Sequence, residues 1–334
     1  MKRLKSVKKC QKIISNKRFF ILRIILLIEL ILILILLVRK ILTELPTVPY
    51  LFDLIYGKNF VMKTLNNITI NSTNTDNIAL SIMKWEIENF DNPYSFYSPN
   101  SSLQKFLGVY EINGSYRWFI RDGPVSWTLY SRLANCWEYS TVFVNLMKIK
   151  DVKARIIHTP GEDHVWSEYL SDGFKITVDP SGNQVVLDKK IFAQNRNWSY
   201  IESLDLFNIS DKIDVSDEYI ERVSLIVVVN DNEKHVKNID VTIKSTQLMK
   251  SDPKRYKEPK VVLTNKTDEN GLLNFRLGEK EYIIEVRNSY ILFDYIYSKN
   301  ATVTKNQINT IDFDLSKDAK KIEFLGILKR ILTN

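Results

Sequence analysis

Three side chains in the middle third of the chain have the residue types of a nucleophilic site: Cys136, His164 and Asp179. Cys136 opens a stretch running to about Met147 in which Val142, Phe143, Leu146 and Met147 form an apolar stripe at helical spacing. A cysteine at a helix N-terminus sees the positive end of the macrodipole and unsatisfied backbone N–H groups, both of which stabilise a thiolate. An imidazole beside a thiol takes its proton and later returns it to a leaving amine. A carboxylate behind that imidazole fixes its tautomer and supports its positive charge. Each residue also has a bland alternative. Cys136 could be a buried small hydrophobe or an intermolecular bridge, His164 a hydrogen-bonded structural histidine, and Asp179, before Pro180, a turn former.

Whether His164 and Asp179 can meet depends on one turn. Residues 164–170 and 174–180 alternate as strands, and Asp172-Gly173 between them is a type I′ hairpin signal. A two-residue turn pairs Ser171 with Phe174, Trp166 with Asp179 and His164 with Ser181. These last four residues then share one face, with Asp179 the diagonal neighbour of His164. A one-residue slip would send the pair to opposite faces.

The elements around the site read as helix first and antiparallel sheet second, an α+β arrangement. Asp76 is placed to cap a helix from Asn77 to about Phe90, and residues 152–158 form a strand ahead of the hairpin. Together these make a domain over residues 76–207. A polar linker is expected at 208–222, followed over 223–316 by six strand-like segments separated by turn signals, as in a small all-β sandwich. Residues 317–334 place Ile322, Leu325, Leu328 and Leu332 at helical spacing, an amphipathic tail. No metal-ligand cluster is visible, and no cofactor is expected.

The formal charge of +8 is local, because eight Lys and Arg fall within residues 1–18 without an acidic residue among them. The remainder is near neutral, which argues against a nucleic-acid-binding face. Residues 19–42 contain an apolar run, FFILRIILLIELILILILLV, of the length of one membrane-spanning helix. It is too long for a signal-peptide core and lacks a small-residue cleavage site. The basic arm predicts a cytoplasmic N-terminus, a stem at 43–75 and extracytoplasmic domains at the cell membrane. Eight Asn-X-Ser/Thr triplets, beginning at Asn67, Asn71, Asn100, Asn113, Asn197, Asn208, Asn265 and Asn300, all follow the span. Of the two cysteines, Cys10 lies before the span, so Cys136 has no intrachain partner across the membrane.

The runs NCWEYSTVFVNLMKIKDVKARIIHT (135–159) and HVWSEYLSDGFKITVDPSG (164–182), preceded by IALSIMKWEIENF (78–90), resemble the transglutaminase-like superfamily. The resemblance implies a papain-like core, with Cys136 as nucleophile, His164 as base and acid, and Asp179 as orienter. It also implies a second oxyanion donor beside the Cys136 N–H, for which Trp127 is the candidate and Trp118 the runner-up. Asn135 stands where relatives commonly have Gly, and Glu138 lies where acidic residues are common. Residues 223–245 and 263–286 are similar to carboxypeptidase-regulatory and prealbumin-like sandwiches. The expectation is a thiol amidohydrolase, peptidase or acyltransferase acting on a protein or peptide substrate. The alternative is an inactive surface protein that uses the same fold for partner binding.

Overall fold

The computed structural model describes residues 29–31, 47–96, 108–112, 114–204, 212–290, 293–305 and 307–324. The chain divides into two compact units at Lys58. The expected basic arm, and the expected membrane span apart from the helical residues 29–31, lie outside the described residues. Among the described residues no helix is long and apolar enough to cross a membrane. The described part of the expected stem is helical up to Ile68: α1 (Thr47–Phe52) runs into a π turn (Asp53–Gly57), and α2 (Lys58–Ile68) carries Leu65 into the core of the second unit.

In the second unit α3 (Thr75–Asn89) is capped by Asn74, whose Oδ1 accepts from the Asn77 N–H at 2.8 Å. This corrects the expected cap. Asp76 lies inside the first turn, and its Oδ1 accepts a hydrogen bond from Tyr169 Oη at 3.0 Å. A short ribbon, β1 (Val109–Ile112) with β2 (Ser115–Trp118), and helix α4 (Val125–Ser131) lead to α5 (Cys136–Ile149). The chain then forms β3 (Ala154–Thr159), β4 (His164–Ser171), β5 (Phe174–Asp179) and β6 (Gln184–Val186). After α6 (Lys189–Ala193) come β7 (Glu202–Leu204), β8 (Lys212–Asp214) and α7 (Ser216–Tyr219).

These strands form one antiparallel sheet in the order β6-β5-β4-β3-β7-β8, so the α+β expectation holds. Ser171 pairs with Phe174, as the two-residue turn requires, and the ladder runs to Ser167 opposite Val178. Asp172 and Gly173 both have positive φ (48° and 84°), the backbone of a type I′ turn. One face packs Ile156, Val165, Tyr169, Ile176 and Val178 against α3 and α5. The opposite face packs Ile157 and Trp166 against Phe192, Trp198 and Tyr219. The segment expected as a linker therefore contributes structure: β8 pairs with β7, and Tyr219 is buried against Trp166.

The described residues from Val223 onwards are mainly β-strand. One sheet contains β9 (Val223–Asp231), β10 (Lys234–His235), β13 (Leu272–Leu277) and β16 (Asn309–Asp314), the last parallel to β9. The other is ordered β12 (Lys260–Lys266), β11 (Asp240–Ser245), β14 (Lys280–Ser289), β15 (Phe293–Val303), β17 (Lys320–Phe324). A short helix, α8 (Gln247–Ser251), lies between β11 and β12. Both sheets contribute to one apolar core, including Val227, Phe275, Ile243, Ile284 and Phe313. Two sequence expectations change here. Phe293–Val303 is an additional strand, and residues 320–324 of the expected amphipathic tail pair with it as β17. Ile322, in this edge strand, stays 47% exposed, and residues 325–334 lie outside the described residues.

Candidate active site

Cys136 is the first residue of α5, and the helix start is built around it. Asn135 is the N-cap: its Oδ1 accepts from the backbone N–H groups of Trp137 (2.8 Å) and Glu138 (3.4 Å). Glu138 reaches back, its Oε2 accepting from the Asn135 N–H at 3.1 Å, which completes a capping box. Its other oxygen accepts from the Asp122 N–H at 3.1 Å. Burial pushes the Glu138 carboxyl up to about 7, although the three backbone N–H bonds oppose this. The cap thus engages the N–H groups on either side of Cys136 and leaves the Cys136 N–H, among the described residues, open towards an incoming oxygen.

His164 and Asp179 meet as the hairpin register predicts. His164 Nε2 hydrogen bonds to Asp179 Oδ2 at 2.8 Å. Nδ1 is the ring nitrogen that this bond leaves over. Burial alone would lower the His164 pKa. The hydrogen bond and charge of Asp179, together with the neighbouring Cys136 thiol, outweigh it and raise the imidazole to about 9. Asp179 is 1% exposed, and its Oδ1 accepts from Ser181 Oγ (2.6 Å) and the Gly182 N–H (3.1 Å). Burial would raise this carboxyl, but the bond and charge of His164 hold it below its usual range. A side chain at position 182 would clash with the carboxylate, since a Cβ there would lie 2.9 Å from Asp179 Oδ2. The His164 ring stacks on Trp166 with centroids 5.7 Å apart, which limits its rotation.

Trp127 does not have the geometry of an oxyanion donor. Its Nε1–H donates to the Trp118 carbonyl at 3.1 Å, it is 8% exposed, and its ring packs edge-on against Trp118. Neither indole lines the cleft beside Cys136. That cleft, about 380 Å³, is bounded by Tyr94, Asp122, Asn135, Trp137, His158, Asp163 and Arg255, among others. Of these, the sequence singles out only Asn135. His158 is one residue from the end of β3 and bonds Glu202 Oε1 through Nδ1 at 3.0 Å. Asp163 ends the turn before His164 at φ 52°. Arg255 comes from the sandwich, and no local pattern announces it because packing of the sandwich brings it to the cleft.

The turn before His164 is also held from the sandwich. Glu162 Oε1 accepts from Lys280 Nζ at 2.6 Å, and both side chains are almost fully buried. Ser199, Ser245 and Thr159 supply further donors to the same carboxylate. Among the described residues no group of three or more His, Cys, Asp or Glu side chains could hold a metal ion.

The helix start and the antiparallel sheet thus bring a thiol, an imidazole and a buried carboxylate into one region. Residues 97–180 match the sequence profile described as Transglutaminase-like superfamily, a span that contains all three residues. The chain is similar to the Drosophila melanogaster peptide-N(4)-(N-acetyl-beta-glucosaminyl)asparagine amidase, at 34% identity over 103 residues. That match covers 30% of this chain and only 16% of the relative. Among solved structures, a provisionally designated cysteine protease from Cytophaga hutchinsonii is similar at 10% identity and a TM-score of 0.26, over 78% of this chain and 56% of the other. A provisionally designated protease from Parabacteroides distasonis ATCC 8503 gives 10% identity and a TM-score of 0.31, over 76% and 50%. At these scores neither likeness constrains the chemistry.

Proposed function

We propose that the protein is a thiol-dependent amidohydrolase that forms a thioester on Cys136. The observation that carries this reading is the His164 imidazole bonded through Nε2 to the buried Asp179 carboxylate at 2.8 Å, with the Cys136 thiol near enough to raise the same imidazole's pKa. The Cys136 sulfur attacks an amide carbonyl carbon, and the resulting oxyanion is met by the Cys136 N–H. Collapse breaks the C–N bond, and the His164 imidazolium gives its proton to the departing amine. The neutral imidazole then takes a proton from water as that water attacks the thioester. Carboxylic acid leaves, and the sulfur recovers its charge beside the imidazolium. Asp179 holds the ring and balances its charge throughout. Water is the favoured acceptor because no dedicated amine-binding group faces the thiol among the described residues lining the cleft.

The expected substrate is a protein or peptide amide. The apolar run at 19–38 supports anchoring at the membrane with the domains outside the cytoplasm, a reading that rests on the sequence alone. Labelling with a neutral thiol-directed electrophile tests the site directly. Cys136 should react at neutral pH, and His164→Ala should slow it by about tenfold or more, the scale of losing a charged hydrogen-bond partner. An unreactive Cys136, or reactivity indifferent to His164→Ala, would leave only the non-enzymatic reading. Supplying a primary amine during turnover separates hydrolysis from acyl transfer, since amide product in place of acid would overturn the choice of water.

A further inference from the structure

The segment joining β11 to β12 of the sandwich, residues 246–259, reaches into the cleft. Arg255 lines the same cavity as Cys136, Asn135 and Trp137. Its guanidinium lies 4.8 Å from the ring centroid of Tyr94 and 5.1 Å from that of Tyr256. A planar cation held on aromatic faces is fixed in position while its in-plane N–H donors stay free to pair. The acidic groups nearby are already engaged. Asp163 Oδ2 accepts from Tyr256 Oη at 3.2 Å and from Lys260 Nζ at 3.3 Å, and Asp122 lies 3.9 Å from its neighbour Arg121. Among the described residues no carboxylate is within ion-pair distance of Arg255. The cleft therefore presents an exposed guanidinium, set against two aromatic rings and without a carboxylate partner among the described residues.

We infer that Arg255 is a specificity-determining residue, supplied by the sandwich, which takes a carboxylate of the substrate next to the scissile amide. This rests on reading Cys136 as the nucleophile. The guanidinium fork fits a carboxylate through two parallel N–H donors, whether it belongs to an Asp or Glu side chain or to a chain terminus. The sandwich is then one wall of the active site and selects acidic peptides.

Two alkylating reagents of nearly equal size, iodoacetate and iodoacetamide, differ in the charge that Arg255 would read. Their rates at Cys136 are measured in the full chain by mass of the Cys136 peptide, which keeps Cys10 apart. Arg255→Gln should lower the iodoacetate-to-iodoacetamide rate ratio by about tenfold, the scale of one charge-assisted hydrogen bond, with Arg255→Lys in between. Labelling with an unaltered ratio overturns the assignment of Arg255 and leaves the nucleophile standing. No labelling by either reagent removes the nucleophile and the assignment together. Peptide amides bearing Glu or Gln beside the scissile bond, each with a free or an amidated C-terminus, then identify the source of the carboxylate. Arg255→Gln should raise KM about tenfold more for one charged member than for its neutral counterpart. An equal change across all four peptides overturns the inference.

Discussion

The strands of the sandwich and the strand that carries His164 bury their residues differently. In β9 and β14 burial alternates, so each strand gives one face to the core and the other to solvent. In β4 all residues from Val165 to Tyr169 are buried, because α5 covers one face and the Trp166–Trp198–Tyr219 cluster covers the other. The sandwich core is mainly apolar, although Asp294 is fully buried beside Arg287, whereas the sheet that carries His164 and its supports bury Glu168, Asp179, Glu202, Glu162 and Glu138. Each of these carboxylates has partners from another element, as when Arg155 Nε bonds Glu168 at 2.6 Å across β3 and β4. One-sided apolar strands give stability that depends little on pH. Two-sided strands with buried charge hold side chains in place more tightly, and they are sensitive to the loss of any one partner.

The largest effect should come from the orienting carboxylate. Asp179→Asn keeps the shape of the site but removes the charge behind the imidazole, so kcat should fall about 10³- to 10⁴-fold. The pH profile supplies the sign. His164 is raised to about 9, so the imidazolium persists through neutral pH and activity should fall as pH passes about 9. In Asp179→Asn that alkaline limb should move to lower pH. Linkage gives a second readout, because a raised folded pKa contributes stability that is complete below the ordinary value of 6.5 and lost as pH rises to about 9. Urea midpoints at pH 6 and pH 10 should therefore differ more in the parent than in Asp179→Asn. An alkaline limb that stays in place would break the link between the two side chains.

Next comes the junction between the regions. Lys280→Met leaves Glu162 buried without its cation, which should cost about 3–5 kcal/mol in urea unfolding. Adding Glu162→Gln should recover most of that loss, because no charge is then stranded. Equal instability of the single and double variants would mean that packing, and not charge pairing, holds the junction.

The difference in burial also explains what the sequence disclosed. The sandwich strands were readable because exposure alternates residue by residue, and the hairpin because Asp172-Gly173 fixes its register. Cys136, His164 and Asp179 followed from that register and from the helix start. The rest depended on distant partners. Asp76 is as plausible a cap as Asn74 until Tyr169 claims its carboxylate. Trp127 has a free N–H in the sequence but not beside the Trp118 carbonyl. Residues 212–219 look like a polar linker because Glu218 and its neighbours are charged. Their charges meet Lys175, Lys189 and Arg155, while Tyr219 turns inwards. Arg255 and Lys280 lie over a hundred positions from the cysteine, and only the folded chain brings them to the site.

The smallest effects separate the two kinds of core most cleanly. Glu86, on α3, is fully buried and neither of its carboxylate oxygens has a hydrogen-bond partner among the described residues. Burial raises its pKa well above the ordinary carboxyl value of 4.5. A carboxyl raised in this way contributes stability below about 4.5, and that stability is lost as pH climbs towards the folded value. Glu86→Met, close in volume and free of the polar oxygens, should therefore gain about 1–3 kcal/mol at pH 8. The gain should shrink as pH falls towards 4.5. Ile284→Val in the sandwich core removes one methylene from a fully buried side chain and should cost about 0.5–1.5 kcal/mol. With no titrating group involved, that cost should be the same at pH 5 and pH 8. If the Glu86→Met gain were equally flat, its carboxyl would not titrate differently on folding. The contrast between a pH-dependent catalytic core and a pH-independent sandwich would then fail at its most buried point.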